Sequence, residues 1–370
     1  MIMPSVAGLV KVEIKSDHPD AVESGGLPMR ICITGGSGFI GSWFCHEYRK
    51  RGVEVVILDL IEPASNLPHE RFVHGDVRDL EAVRDALAGC DAVLHLAAAH
   101  HDFGITESTF FAVNKDGASV LCQAMDELGV RRVCFYSTVA VYGSASPPLS
   151  EETHPEPESH YGRSKLAGEK VFEAWTLQGD DRRALIIRPT VTFGPYNFAN
   201  MYSLIRQIDR KQFFQAGRAS NIKSLSYIEN IMAATLWLWE RAGDDDPFAV
   251  YNWVEKPDMD SAEISRTVAD AMGAKYLHIP LWMALAMAKP FDLMIALTGK
   301  NIPVSSARVR KLFVDQTKFE ADKARQRGFT PDISLAEGLR RMVAWYLEGG
   351  RDQSAQWHQP PAEIVRRSRD

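Results

Sequence analysis

Short apolar runs alternate with amphipathic stretches through the first half of the chain. Runs at 29–34, 53–59, 71–75, 92–97, 132–137 and 184–189 are nearly continuous in hydrophobic side chains. Strands of that kind have no polar face and are buried on both sides. The stretches between them, at 40–51, 80–88, 109–128 and 161–177, carry apolar residues at helical spacing. The alternation predicts repeated βαβ units, an α/β fold built on a doubly wound parallel sheet. Ligands of such sheets bind at the carboxyl ends of the strands. Beyond about residue 190 the pattern loosens at Pro195, Asn197 and Asn200, and helical spacing returns at 202–208, 228–241, 261–272 and 335–346. The chain therefore divides into a sheet domain over 29–190 and a smaller, interleaved α/β lobe over 191–348. Residues 1–28 mix Asp, Glu, Lys, Pro and Gly without periodicity and read as a disordered extension. Residues 349–370, ending on Arg366, Arg367 and Arg369, read as a solvated tail.

The first apolar run is followed directly by Thr34-Gly35-Gly36-Ser37-Gly38-Phe39-Ile40-Gly41. Gly35 gives a strand-to-helix turn its backbone freedom, Gly38 lets a pyrophosphate approach the main chain, and Gly41 lets the helix pack against the strand. The amides that open the helix, with its dipole, favour an anion. Asp59 ends the second run, about 20 residues past the loop. A carboxylate there accepts from an adenosine ribose and repels a 2′-phosphate, which favours NAD over NADP. Asp76, followed by Val77, ends the third run and is placed to contact an adenine amino group, or to serve a plain turn.

Composition narrows the class. The net charge of −6 supplies no basic footprint for nucleic acid. Five cysteines, an odd number without a C-x-x-C, read as buried reduced thiols and a cytoplasmic location. No apolar run reaches the roughly 18 to 20 residues of a membrane span, and the first residues lack the basic-then-apolar order of a signal peptide. No His, Cys or acidic cluster has metal-ligand spacing.

Tyr161 and Lys165 are four apart, so a helix places them on one face. A free phenol has a pKa of about 10. A neighbouring ammonium favours the phenolate, and Tyr161 can then act as general base toward a substrate hydroxyl. Lys165 can also reach a nicotinamide ribose. Ser137-Thr138 ends the fifth run, where the Thr138 hydroxyl is placed to polarise a reacting oxygen.

With these motifs the chain, from about 29 to 346, resembles the extended short-chain dehydrogenase/reductases, the NAD-dependent sugar epimerases and dehydratases with a Rossmann-type domain. The resemblance also rests on Leu96-Ala97-Ala98, Asn114 in Val113-Asn114-Lys115, Arg188-Pro189-Thr190, Tyr227-Ile228-Glu229-Asn230 and Gly328-Phe329-Thr330-Pro331. It implies Thr138, Tyr161 and Lys165 as the catalytic trio and NAD as cofactor. The loop (Gly35, Gly38, Phe39, Ile40, Gly41), Asp59, Asp76, Val77, Leu96, Ala97, Ala98, Asn114, Pro189 and Thr190 would line the cofactor site. Dehydratases of the family place an acidic residue just after the catalytic Thr, where this chain has Val139 and Ala140. That leaves hydride chemistry alone: epimerisation, ketone reduction or alcohol oxidation.

A closer resemblance lies in 139–143 (VAVYG), 160–162 (HYG), 187–194 (IRPTVTFG) and 304–309 (VSSARV). These look like the bacterial polyprenyl-diphosphate-linked N-acetylglucosamine 4-epimerases of polysaccharide assembly. Many nucleotide-sugar relatives have Asn where this chain has Val191; in the polyprenyl group that position is also apolar. The resemblance implies a diphosphate-linked hexose or N-acetylhexosamine on a nucleotide or polyprenyl carrier, with Val191 near the sugar and Lys223 and Arg308 as candidate diphosphate contacts. It also implies a homodimer through the helices at 109–128 and 161–177. A sugar or lipid alcohol dehydrogenase, a 4-ketoreductase and a non-catalytic NAD sensor stay open beside the epimerase.

One segment is apolar beyond the needs of an ordinary helix. Residues 277–297 hold Trp282, Met283, Met287, Phe291 and Met294, with Pro290 predicted to split them into two short helices. Core packing of the small lobe accounts for this composition. So does a peripheral contact with the inner face of the cell membrane.

Overall fold

The computed structural model describes residues 29–100, 104–241, 246–298, 305–353 and 362–365. The extension read over 1–28 and Val304 of the 304–309 motif lie outside the described residues. Six parallel strands follow one another in the first half: β1 (Arg30–Thr34), β2 (Glu54–Asp59), β3 (Arg71–His74), β4 (Ala92–His95), β5 (Arg132–Tyr136) and β6 (Arg183–Pro189). Three strand pairs build the lobe: β7 (Val191–Phe193) with β10 (Leu225–Tyr227), β8 (Phe214–Ala216) with β13 (Leu277–Ile279), and β9 (Ile222–Lys223) with β12 (Met259–Asp260). The remaining strand, β11 (Phe248–Trp253), returns to the main sheet and pairs in parallel with β6. The sheet thus runs β11-β6-β5-β4-β1-β2-β3. Strand order reverses between β1 and β4, and the crevice for a ligand opens there at the carboxyl ends.

Among the described residues, twelve α-helices accompany the strands: α1 (Phe39–Lys50), α2 (Leu80–Leu87), α3 (Glu107–Phe111), α4 (Gly117–Leu128), α5 (His160–Thr176), α6 (Asn200–Asp209), α7 (Ile228–Arg241), α8 (Ser261–Ala271), α9 (Leu281–Thr298), α10 (Ser306–Phe313), α11 (Asp322–Gln326) and α12 (Leu335–Glu348). Successive strand residues point to opposite faces. Ile31, Ile33, Ile57, Leu94 and Ile187 pack in one core with Phe44 and Tyr48 of α1 and Ile228 and Ile231 of α7. Cys32, Val56, Leu58, Val93, Phe135 and Ile186 pack in the other with α2, α4 and α5. The two faces explain why every strand reads as a continuous apolar run. Because α7 and β11 belong to the sheet layers, the division at residue 190 is one of sequence, and the lobe is threaded through the sheet domain.

Three expectations are corrected. The single helix read over 109–128 is interrupted: a π-helical turn (Ala112–Asp116) separates α3 from α4 and carries Asn114. Pro290 does not divide the apolar segment, because α9 runs continuously across it. The lost bond leaves the Ala286 carbonyl without its helical donor, and Pro290 and Ala286 are both exposed, so that carbonyl is on the solvent side. The tail is not a free appendage over its described part. The Tyr202 hydroxyl donates to the Gly350 carbonyl, and Arg78 donates to the carbonyls of Ala362 and Glu363. Buried donors and acceptors draw that backbone in.

Candidate active site

The glycine loop closes on itself as its spacing requires. Gly35 has φ +72°, the left-handed region, and donates its N–H to the Leu58 carbonyl at 2.8 Å. A Cβ there would sit 2.7 Å from Ala97 N. At Gly41 a Cβ would stand 2.6 Å from the Gly35 carbonyl oxygen, so only glycine lets α1 lie against the loop. Gly38 caps α1 with extended backbone and no side-chain cap. The first amides of α1 thus have no capping side chain, and the cradle fits a dinucleotide pyrophosphate. Phe39, Ile40 and Leu96 pack half-buried against the core behind the loop. Ala97 packs against the core of the opposite sheet face. The half-buried carboxylate of Asp59 accepts from the N–H groups of Ser37 (3.0 Å) and Ile61 (3.2 Å), which aims it at the loop mouth. Burial raises its pKa.

Asp76, read for an adenine contact or a plain turn, sits in an ion pair. Its carboxylate is buried in a bidentate pair with Arg78, with Nη2 at 2.6 Å and Nε at 3.0 Å, and it accepts from the backbone N–H of Val365. Val77 packs in the core, against Gly117 at the start of α4. Asn114 acts as a brace. Its Oδ1 accepts from Ala99 N at 2.9 Å, and its Nδ2 donates to the Ala99 carbonyl and to Ser164 Oγ at 2.8 Å. Ser164 Oγ in turn donates to the Tyr161 carbonyl. The π-turn thereby ties the loop after β4, with Ala97 and Ala98, to the first turn of α5.

That turn carries the proposed chemistry. Ser159 caps α5 by accepting from Gly162 N at 3.0 Å. Tyr161 stands half-buried beside the Phe110 ring. Lys165 is 1% exposed, with its Nζ 4.0 Å from the centroid of Phe135. Thr138, at the end of β5, is buried; its Oγ1 accepts from Ala140 N at 3.1 Å, and its own O–H remains to donate. Three residues the sequence reading left without a role complete the setting. Glu169, one turn past Lys165, is buried and ion-paired with Arg188 at 2.5 Å, and it accepts from Ser137 Oγ. Arg188 also donates to the Tyr142 hydroxyl. An arginine inside the apolar run 183–189 was the available signal, since a buried cation requires a partner. His95, stacked on Phe135 with Nδ1 2.7 Å from Thr34 Oγ1, is held neutral by burial, its pKa lowered to about 3.

Burial lowers the Lys165 pKa from 10.5 to about 7, against the opposing pull of Glu169. Between those two values the unfolded chain holds a proton that the native chain lacks, so stability rises with pH; below about 7 both states hold it and the cost of burying the cation is felt in full. Lys165→Met is therefore expected to be more stable than wild type below pH 7, in cofactor-free protein, by a margin that shrinks toward pH 10. Urea midpoints across that range test it; parallel pH curves for the two proteins would refute the assignment.

Pro189, read for the cofactor site with Thr190, ends β6, and the Thr190 hydroxyl is buried against Ser226 Oγ at 2.8 Å. Val191 is exposed at the start of β7. Lys223, read as a candidate diphosphate contact, donates to the carbonyls of Lys311 and Asp315, both at 2.7 Å, at the C-terminal end of α10. Arg308 lies in the first turn of α10, whose cap Ser305 accepts from Arg308 N.

A doubly wound sheet with a glycine cradle at its switch point and a Thr–Tyr–Lys set on the neighbouring strand and helix defines a dinucleotide-dependent enzyme. The family model described as the NAD dependent epimerase/dehydratase family matches residues 31–252, and the chain belongs to this family, with NAD as its cofactor. It is 35% identical, over 85% of its length and 94% of the relative's, to N-acetyl-alpha-D-glucosaminyl-diphospho-ditrans,octacis-undecaprenol 4-epimerase of Escherichia coli O157:H7. It is 28% identical, over 89% of its length and 95% of the relative's, to dTDP-glucose 4,6-dehydratase of Streptomyces niveus. The Thermus thermophilus UDP-glucose 4-epimerase, solved in complex with NAD, shares the fold with a TM-score of 0.67 at 22% identity, over 86% of this chain and 99% of that one.

Proposed function

We propose that the chain is a 4-epimerase of a diphosphate-linked hexose or N-acetylhexosamine, with a polyprenyl carrier as the favoured substrate form. The observation that carries this reading is the turn after Thr138. Val139–Tyr142 forms a 3-10 helix whose first two side chains, Val139 and Ala140, cannot exchange protons. Elimination of water needs an acid and a base beyond the trio; inversion at one carbon does not. The 35% identical relative and the apolar Val191 support the polyprenyl carrier.

Bound NAD supplies the hydride acceptor and donor. The chain's own residues handle the proton and the geometry. Tyr161 takes the proton of the sugar hydroxyl and returns it after the oxidised sugar has turned, so one phenol oxygen serves both faces. Thr138 donates to the same sugar oxygen. The Lys165 ammonium favours the phenolate. Apolar neighbours exclude water, and positioning supplies much of the rate.

The test is product analysis by mass spectrometry and NMR, with undecaprenyl-diphospho-N-acetylglucosamine and UDP-N-acetylglucosamine offered to protein purified without added cofactor. Epimer of unchanged mass without net NADH supports the proposal, and preference for the lipid-linked sugar supports the carrier. A product lighter by one water would establish a dehydratase. Stoichiometric NADH would establish a dehydrogenase.

A further inference from the structure

The helix α9 buries very little of itself. Over residues 281–297, where burial is described, only Ala284 and Ala288 are fully buried, a stripe two small side chains wide. Trp282 is 71% exposed, Leu293 63% and Leu297 77%, and Met287 and Met294 lie open as well. Leu277 in β13 and Leu312 in α10, which packs on α9, are exposed as well. Single exposed apolar residues are ordinary, whereas a cluster of large ones marks an interaction surface. Among the described residues no helix is long and apolar enough to cross a membrane.

Charge indicates the occupant. The chain carries −6 overall, yet 275–313 holds Lys275, Lys289, Lys300, Arg308, Arg310 and Lys311 against a single carboxylate, Asp292. Asp292 accepts from the Ser306 N–H at 2.9 Å, the link between α9 and α10. Lys289, Arg310 and Lys311 are exposed. Large apolar groups flanked by cations match a bilayer interface with anionic headgroups, which takes the side chains into its acyl boundary and attracts the rim. A second copy of this chain matches poorly, because a twofold contact sets one patch against itself and the same cations face one another.

We infer that the α9–α10 surface docks the protein peripherally on an anionic lipid bilayer. The inference rests on the proposed polyprenyl-linked reading only for its purpose: α10 also carries Arg308, a candidate diphosphate contact, so a lipid-linked sugar would enter from the membrane side. The docking itself follows from the surface whatever the substrate proves to be.

Co-sedimentation of the full chain with vesicles tests it. On equimolar phosphatidylcholine and phosphatidylglycerol the wild type is expected to bind about tenfold more tightly than on phosphatidylcholine alone. Trp282→Glu/Leu297→Glu and Lys289→Glu/Arg310→Glu should each lose that binding while keeping the NAD content and the thermal unfolding profile of the wild type. Wild-type protein that stays in the supernatant with anionic vesicles overturns the inference. So does vesicle binding unchanged in both double variants, or a Trp282→Glu/Leu297→Glu variant that dissociates an oligomer and sediments with vesicles as before. Turnover of a water-soluble nucleotide-linked sugar, measured in parallel, separates failure of docking from failure of the epimerase reading.

Discussion

Tyr161→Phe is expected to lower turnover roughly a thousandfold, within the range contributed by a positioned general base. The change removes one oxygen atom from a half-buried ring that packs beside Phe110. Two links that hold this part of the molecule are kept in the variant: Ser164 Oγ donates to the Tyr161 main-chain carbonyl, and Asn114 spans Ala99 and Ser164. The variant should therefore keep its fold, melting temperature and NAD content. Loss of rate with those properties retained places the proton transfer on this oxygen. A variant that turns over within about tenfold of wild type would contradict that placement, and would revive the reading of the chain as an NAD sensor.

Arg188→Met is expected to destabilise the protein by about 3 to 5 kcal/mol, the cost of leaving a buried carboxylate unpaired. Arg188 holds Glu169 with Nε at 2.9 Å and Nη2 at 2.5 Å, and its Nη1 donates to Tyr142, whose hydroxyl donates to Asn252 Oδ1 at 2.8 Å. The pair joins α5 to β6, and through Asn252 it reaches β11. The double variant Glu169→Gln/Arg188→Met should be milder than Arg188→Met alone, because it removes the stranded charge. Urea unfolding of the two singles and the double measures the coupling. Additive losses would mean that Glu169 and Arg188 act independently. In Arg188→Met the Glu169 carboxylate is left facing Lys165, whose ammonium it already favours. An unneutralised carboxylate moves the Lys165 pKa upward. The pH window over which Lys165 titration affects stability then narrows from its lower end.

Much of the sheet domain was legible because its physics is local. A strand buried on both faces must be apolar throughout, and a turn that must fit a pyrophosphate requires glycine at set positions. That Tyr161 and Lys165 share one helix was legible for the same reason: four residues are about one helical turn. What the reading left out depends mostly on partners distant in sequence. The charges of Asp76 and Lys223 are visible in the chain, but the Val365 backbone that reaches Asp76 beside its near neighbour Arg78, and the carbonyls of Lys311 and Asp315 that Lys223 meets, are brought up only by the fold. The π-turn around Asn114 adds one residue to a sequence otherwise compatible with a regular helix, so no composition marks it. Pro290 misled because α9 carries it inside one continuous helix, at a position exposed on the surface.

The strand β11 pairs with β6 along six residue pairs, from Phe248 with Ala184 to Trp253 with Pro189. A fragment stopped near residue 190 would leave the whole length of β6 as a bare edge, a template for aggregation. On the ribosome, the dinucleotide half stays unsealed until residue 253 has emerged. A dinucleotide half excised before residue 248 carries that open edge into solution.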